Sequence, residues 1–209
     1  MSRKSVPGMI LAVLTAVLST VLIAGAGSAQ AASPKPARSL DLQSYLGKWH
    51  QLAAMPQPFN LVCARDTEAR YSLNPDGSVR VRNSCTTWIG TDNRITGRAT
   101  VVDQKTNAQL RVDFRPPSRE ELRREGANYI VVGLSPTSTR AGMNPTYSWA
   151  VVLNKPRDAG FVLSRTPRLS SDAWGDVRAA IAKAGADECR FLTSPTTGGD
   201  DQIRRLCEK

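Results

Sequence analysis

Histidine is almost missing from this chain: His50 is the only one in 209 residues. A histidine-rich metal site is therefore excluded, and a Ser/His/Asp mechanism would have to run through that one position. Aromatic residues are sparse at 6%, and acids are outnumbered, 18 Asp and Glu against 28 Lys and Arg. The four cysteines include no Cys-x-x-Cys pair, so the usual spacing of a zinc or redox site is lacking. What remains is ordinary for a globular protein: 41% hydrophobic and 22% charged residues, enough for one sizeable core. The net charge of +10 bears on partners and solubility rather than on fold.

Residues 1–31 have the three parts of a secretory signal: Arg3 and Lys4 at the basic end, an apolar run from Met9 to about Ala24, and Ala29-Gln30-Ala31 before the cleavage point. The apolar run approaches bilayer-spanning length, so an uncleaved anchor is the competing reading; the Ala/Gly/Ser-rich exit favours cleavage. No cysteine lies in or just after the run, which argues against a lipid anchor. Residues 32–39, with Pro34 and Pro36, read as a flexible leader. Export places Cys63, Cys85, Cys189 and Cys207 in an oxidising compartment, where two disulfides are expected. Three pairings are possible, and two of them tie the C-terminal tail to the N-terminal half. A long loop closed in that way contributes about 3–5 kcal/mol in the chain-entropy account.

From Arg65 to Arg165 the pattern has period two. Ala69 and Tyr71 alternate with Glu68 and Arg70; Val79, Val81 and Asn83 with Arg80, Arg82 and Ser84. Ile95, Gly97, Ala99 and Val101 alternate with Arg94, Thr96, Arg98 and Thr100, and Leu110, Val112 and Phe114 with Arg111, Asp113 and Arg115. Asn74-Pro75-Asp76-Gly77 is a turn with a mechanism, since proline presets φ and glycine accepts a positive one. Segments from Tyr129, Tyr147 and Gly160 are more apolar and read as covered on both sides. With a first strand at Trp49 this makes eight short antiparallel strands. So many normally close on themselves, which removes exposed edges. The predicted fold is therefore all-β: an eight-stranded up-and-down barrel with its charged face outward. A helix capped by Ser170 or Ser171, with Trp174, Val177, Ala180, Ile181 and Ala184 in one stripe, would pack outside the barrel near Trp149 and stop at Gly185. A short ninth strand is expected within residues 189–193, and residues 194–209 form a tail tied by a disulfide.

Three blocks then carry a family resemblance. Gly47-Lys48-Trp49 looks like the G-x-W signature at the start of the first lipocalin strand. The run from Tyr71 to Val79 resembles the second and third strands of the bacterial outer-membrane lipocalin and apolipoprotein D group. Leu163-Ser164-Arg165-Thr166-Pro167 is similar to that group's last barrel strand. The resemblance covers residues 40–193. It departs at His50, where the group usually has tyrosine, and at residues 134–145, which are longer and lack the T-D-Y signature. It implies that Trp49 plugs the closed end, beside Gly47 and with Arg165 lying across its indole, a contact worth about 0.5–2 kcal/mol. From relatives, it also implies Cys63 joined to Cys207, leaving Cys85 with Cys189. Cys63–Cys189 with Cys85–Cys207 is an alternative, and adjacent strands could even bring Cys63 near Cys85.

The inward set is expected to be Ala69, Tyr71, Val81, Asn83, Ala99, Val101, Val112, Phe114, Ile130, Ala150, Val152, Phe161 and Leu163. Several are small, which predicts an interior that does not fill itself and an apolar cavity with Tyr71 and Asn83 as polar handles. The functional expectation is a secreted or cell-envelope carrier, without cofactor, for a small lipophilic molecule such as a fatty acid or lysophospholipid. Its head group would lie at the rim near Arg65 or Arg82. A barrel filled by its own side chains is the competing structural reading. An enzyme on the same barrel, or a binder of anionic polymers or of membrane and cell-envelope surfaces through the outward arginines, are the alternative functions; specific nucleic-acid binding is not expected.

Overall fold

A computed structural model describes residues 32–115, 126–138 and 146–209. Residues 1–31, expected to be a signal peptide, lie outside the described residues, as does most of the 134–145 segment.

Eight antiparallel strands form a closed barrel: β1 (Gly47–Ala54), β2 (Cys63–Leu73), β3 (Val79–Thr87), β4 (Asp92–Val101), β5 (Gln109–Asp113), β6 (Tyr129–Leu134), β9 (Trp149–Leu153) and β10 (Gly160–Ser164). Each pairs with the next, and β10 returns to β1 with His50 opposite Ser164 and Ala54 opposite Phe161. Between β6 and β9, two short strands, β7 (Thr137–Ser138) and β8 (Thr146–Tyr147), pair only with each other. The predicted ninth strand, β11 (Leu192–Thr193), adds to the outside edge of β1, Ala53 opposite Thr193.

Turn chemistry explains the strand joints. Gly77 has φ +79°, and the Ser78 amide donates to the Asp76 carboxylate at 3.0 Å, closing the β2–β3 turn. Helix α1 (Leu42–Tyr45) starts at Asp41, whose side chain accepts from the Gln43 amide, and sits under the barrel's closed end. Helix α2 (Ser171–Lys183) is capped by Ser170 and ends at Gly185, φ +72°.

The core has two layers, as the parity of β9 requires. Ala150 and Val152 belong to the cluster inside the barrel, together with Trp49, Ala69, Tyr71, Val81, Ala99 and Leu163. Trp149, Val151 and Leu153 belong to the cluster outside it, beneath Trp174, Val177 and Ile181 of α2. Burying each of those three helix side chains contributes about 1.5–3 kcal/mol. Gly133 makes the close helix approach possible: a Cβ there would lie 2.6 Å from that of Ala180.

Two expectations need correction. Residues 32–39 are not a free leader: Pro34 is buried, and the Ala37 amide donates to the Val131 carbonyl of β6 at 2.8 Å. The disulfides are Cys63–Cys85 and Cys189–Cys207, with Cα atoms 5.6 and 5.0 Å apart, and neither ties the tail to the N-terminal half. The first joins neighbouring strands of one hairpin at the open end. The second joins the 3-10 turn Glu188–Arg190 to the 3-10 turn Leu206–Glu208. With separations of 22 and 18 residues, each contributes about 3 kcal/mol on the chain-entropy account.

Candidate ligand-binding site

Alternation along β1 turns Trp49 inward, fully buried, at the closed end. Its indole donates to the Tyr45 carbonyl at 2.8 Å. The Arg165 guanidinium lies 3.7 Å from its ring centroid. Arg165 also donates to the carbonyls of Lys48 at 2.7 Å, Leu46 at 2.8 Å, Ser44 at 2.9 Å and Tyr147 at 3.2 Å. One cation thus gathers the chain entry, α1 and the β8 segment. Burial pulls its pKa down to about 10, opposed by the nearby Tyr45 and Tyr71, and it stays charged at neutral pH. Gly47, with φ +94°, holds the turn against it: a Cβ would come 3.4 Å from Nη1.

All four tyrosines of the chain collect at this end. Tyr45 and Tyr71 stack with centroids 5.6 Å apart, and Tyr147 meets Tyr45 edge-on. The Tyr129 hydroxyl bonds those of Tyr45 at 2.8 Å and Tyr71 at 3.0 Å. Burial pushes Tyr71 up to about 12 and raises Tyr45 and Tyr129 well above the ordinary phenol value. The phenols are neutral hydrogen-bonding side chains of a packed plug. The free space among Leu42, Tyr45, Leu46, Tyr71, Val79, Val81, Ala99, Leu110, Val112 and Tyr129 is about 20 Å³ open to the centre of a water molecule, room for about one water. The expectation of an interior that leaves itself unfilled is therefore wrong for the closed half. The small residues at Ala69 and Ala99 accommodate large ones, Trp49 opposite Ala69 being the plainest case.

The open half is different. Phe161 is half-buried, Ile95 is 49% exposed although it stands opposite inward Asn83, and Phe59 lies 6.4 Å from the Phe161 ring. Asn83 faces inward between Ala69 and Ile95, and its Oδ1 is buried without a partner among the described residues. Among the described residues, this half thus keeps inward apolar side chains partly exposed and one acceptor, Asn83 Oδ1, unpaired.

Of the predicted inward residues, Ala69, Tyr71, Val81, Ala99, Ala150, Val152 and Leu163 lie in the inner cluster, and Val101, Val112 and Phe161 pack against it. Two do not fit. Ile130 is buried but stands opposite Leu153 of the outer layer, while Tyr129 and Val131 face inward. Phe114 has the right parity, but β5 ends before it. It is 42% exposed at the mouth, beside Gly97, where a Cβ would lie 2.8 Å from its Cδ1. Tyr45, Tyr129, Val79 and Leu110 were missed. The last two share the alternation of their neighbours, whereas Tyr45 lies outside any strand.

Of the two candidate head-group arginines, Arg65 lies near the mouth and Arg82 on the outer wall. Arg82 is exposed on the outer face opposite Arg70, and Arg65 pairs with Asp66 at 3.1 Å. His50 faces outward beside Glu68, at 3.6 Å. Burial lowers its pKa, and Lys48, which holds the same Glu68 oxygen, adds to that; Glu68 opposes both. All four cysteines are in disulfides. His50 is thus on the outer face, and no free thiol is present among the described residues.

A closed up-and-down barrel, plugged at one end and apolar at the other, defines a container for small lipophilic molecules. The chain belongs to the lipocalin family, whose members bind small hydrophobic ligands: the Lipocalin-like domain profile matches residues 40–196. It is 28% identical over 160 residues to temperature-induced lipocalin-1 of Arabidopsis thaliana, covering 76% of this chain and 80% of that protein. It is 28% identical over 167 residues to the outer membrane lipoprotein Blc of Escherichia coli K12, covering 77% and 85%. Among solved structures, the cockroach allergen Per a 4 superposes with a TM-score of 0.53 at 16% identity, covering 78% of this chain and 95% of that one. Lobster apocrustacyanin A1 gives 0.50 at 17%, covering 78% and 89%.

Proposed function

We propose that this lipocalin is an exported carrier whose ligand occupies the open half of the barrel, above the tyrosine plug. The observation that carries the reading is the contrast between the two halves: inward apolar side chains are sealed below and partly exposed above, where Asn83 Oδ1 has no partner among the described residues. Burying the upper side chains under a ligand would contribute about 25 cal/mol per Å². The ligand class that fits is a single-chain amphiphile, a fatty acid or lysophospholipid, whose length runs out through the mouth. A donor on the ligand, a hydroxyl or a protonated carboxyl, would satisfy Asn83. Two disulfides fit export to an oxidising compartment.

Native mass spectrometry of the protein purified from its own host tests this. A co-purified lipid mass, displaced by added fatty acid, is expected. A bare polypeptide mass that ignores fatty acids and fluorescent lipid probes would replace the carrier with a filled, structural barrel.

A further inference from the structure

Seven of the ten large apolar side chains exposed among the described residues lie at the open end, led by Ile89 at 85%, Leu61 at 73% and Trp88 at 66%. These three sit on two loops that are fastened together. Cys63–Cys85 joins the strands behind them, and the Trp88 indole donates to the Leu61 carbonyl at 2.7 Å. The β3–β4 turn also closes on itself. Thr87 donates to the Thr91 carbonyl at 2.8 Å, Gly90 to the Thr87 carbonyl at 2.9 Å, and the Thr91 amide to Thr87 Oγ1 at 3.2 Å. A tip with its indole N–H and these backbone groups already satisfied can leave water without stranding them.

The same hairpin carries the charge. On the outer wall, register sets Lys48 opposite Arg70, Arg70 opposite Arg82, and Arg80 opposite Arg98. Like charges directly opposed across strands are destabilising. Lys48 has Glu68 and Arg98 has Asp76. Arg70, Arg80 and Arg82 are exposed and make no hydrogen bond or ion pair with any described residue. Nearer the mouth, Arg65 and Arg94 are matched by Asp66 and Asp92, so the uncompensated charge is on the wall.

We propose that the barrel docks on an anionic lipid bilayer, leaning on its β2–β3–β4 wall with the Trp88–Ile89 tip seated at the boundary between head groups and acyl chains. A soluble polyanion would account for the arginines and leave the apolar loops unexplained; an anionic bilayer accounts for both. Docking sets the mouth beside the lipid, so that an amphiphile can pass between them without crossing water.

Sedimentation with vesicles of pure phosphatidylcholine, and of equimolar phosphatidylcholine and phosphatidylglycerol, tests the proposal. The protein should partition to the mixed vesicles, weakly to the neutral ones, and less as salt rises. W88S/I89S and R70Q/R80Q/R82Q should each weaken partition about tenfold or more, while both variants keep the far-ultraviolet spectrum and the fatty-acid affinity of the parent. A parent protein that ignores the mixed vesicles, or a W88S/I89S variant that partitions like it, overturns the proposal. So does binding to dextran sulfate and vesicles alike that only the arginine variant loses, the mark of a polyanion site. Docking does not depend on an occupied barrel: vesicle binding by a protein that takes up no fatty acid supports this proposal and sinks the carrier reading alone.

Discussion

Arg165 is the residue on which the closed end turns. It supplies the ring contact to Trp49 and donates to four backbone carbonyls in a part-buried site. Replacing it by Met leaves those acceptors short of donors, so R165M should cost about 3 kcal/mol or more in urea unfolding; an unchanged midpoint would show that the cation is dispensable. The tyrosines give a pH signature. Burial raises Tyr71 from 10.0 to about 12, so the folded state holds its proton where the unfolded chain has lost it. The stability this contributes is complete below pH 10 and is lost as pH rises from 10 toward 12, about 3 kcal/mol for a shift of this size. Alkaline titration with circular dichroism should therefore show a flat plateau and then a steep loss, and Y71F should soften the fall. Single residues were legible where polar side chains marked the other face, as at Tyr71 between Arg70 and Ser72 and Val81 between Arg80 and Arg82. Ile130 was not, because β6 is apolar on both faces, and parity cannot be read from a strand covered on both sides.

At the level of elements, alternation and turn residues were enough for the eight barrel strands and the capped helix, because each strand but the most apolar carries polar residues on one side. The disulfides were not legible. Four cysteines permit three pairings, and the implied one failed because β2 and β3 form a hairpin that sets Cys63 beside Cys85. Peptide mapping of the unreduced protein should return Cys63–Cys85 and Cys189–Cys207, and any peptide joining the two ends of the chain would contradict the fold at the tail. C189S/C207S should lower stability by about 3 kcal/mol and loosen Leu206 from the layer it shares with Trp174, leaving the barrel closed. Gly133 tests how α2 sits. G133V drives a side chain toward Ala180 and should cost about 1–3 kcal/mol or displace the helix, seen as a lower melting temperature with altered Trp149 and Trp174 emission.

For the molecule as a whole, sequence parity described a uniform tube, whereas the barrel is divided: a closed half filled by tyrosines and an open half left apolar and half-exposed. That division was hidden because Tyr45 enters from α1 rather than from a strand, and no alternation reports it. On the proposed reading it also puts the ligand in the open half. The most direct measurement is a backbone amide NMR titration with a long-chain fatty acid. Shifts confined to Asn83, Ile95, Gly97 and Phe161, with Trp49, Tyr71 and Arg165 still, are predicted. Shifts centred on the tyrosines, or none at saturating lipid, would contradict a ligand held above the plug.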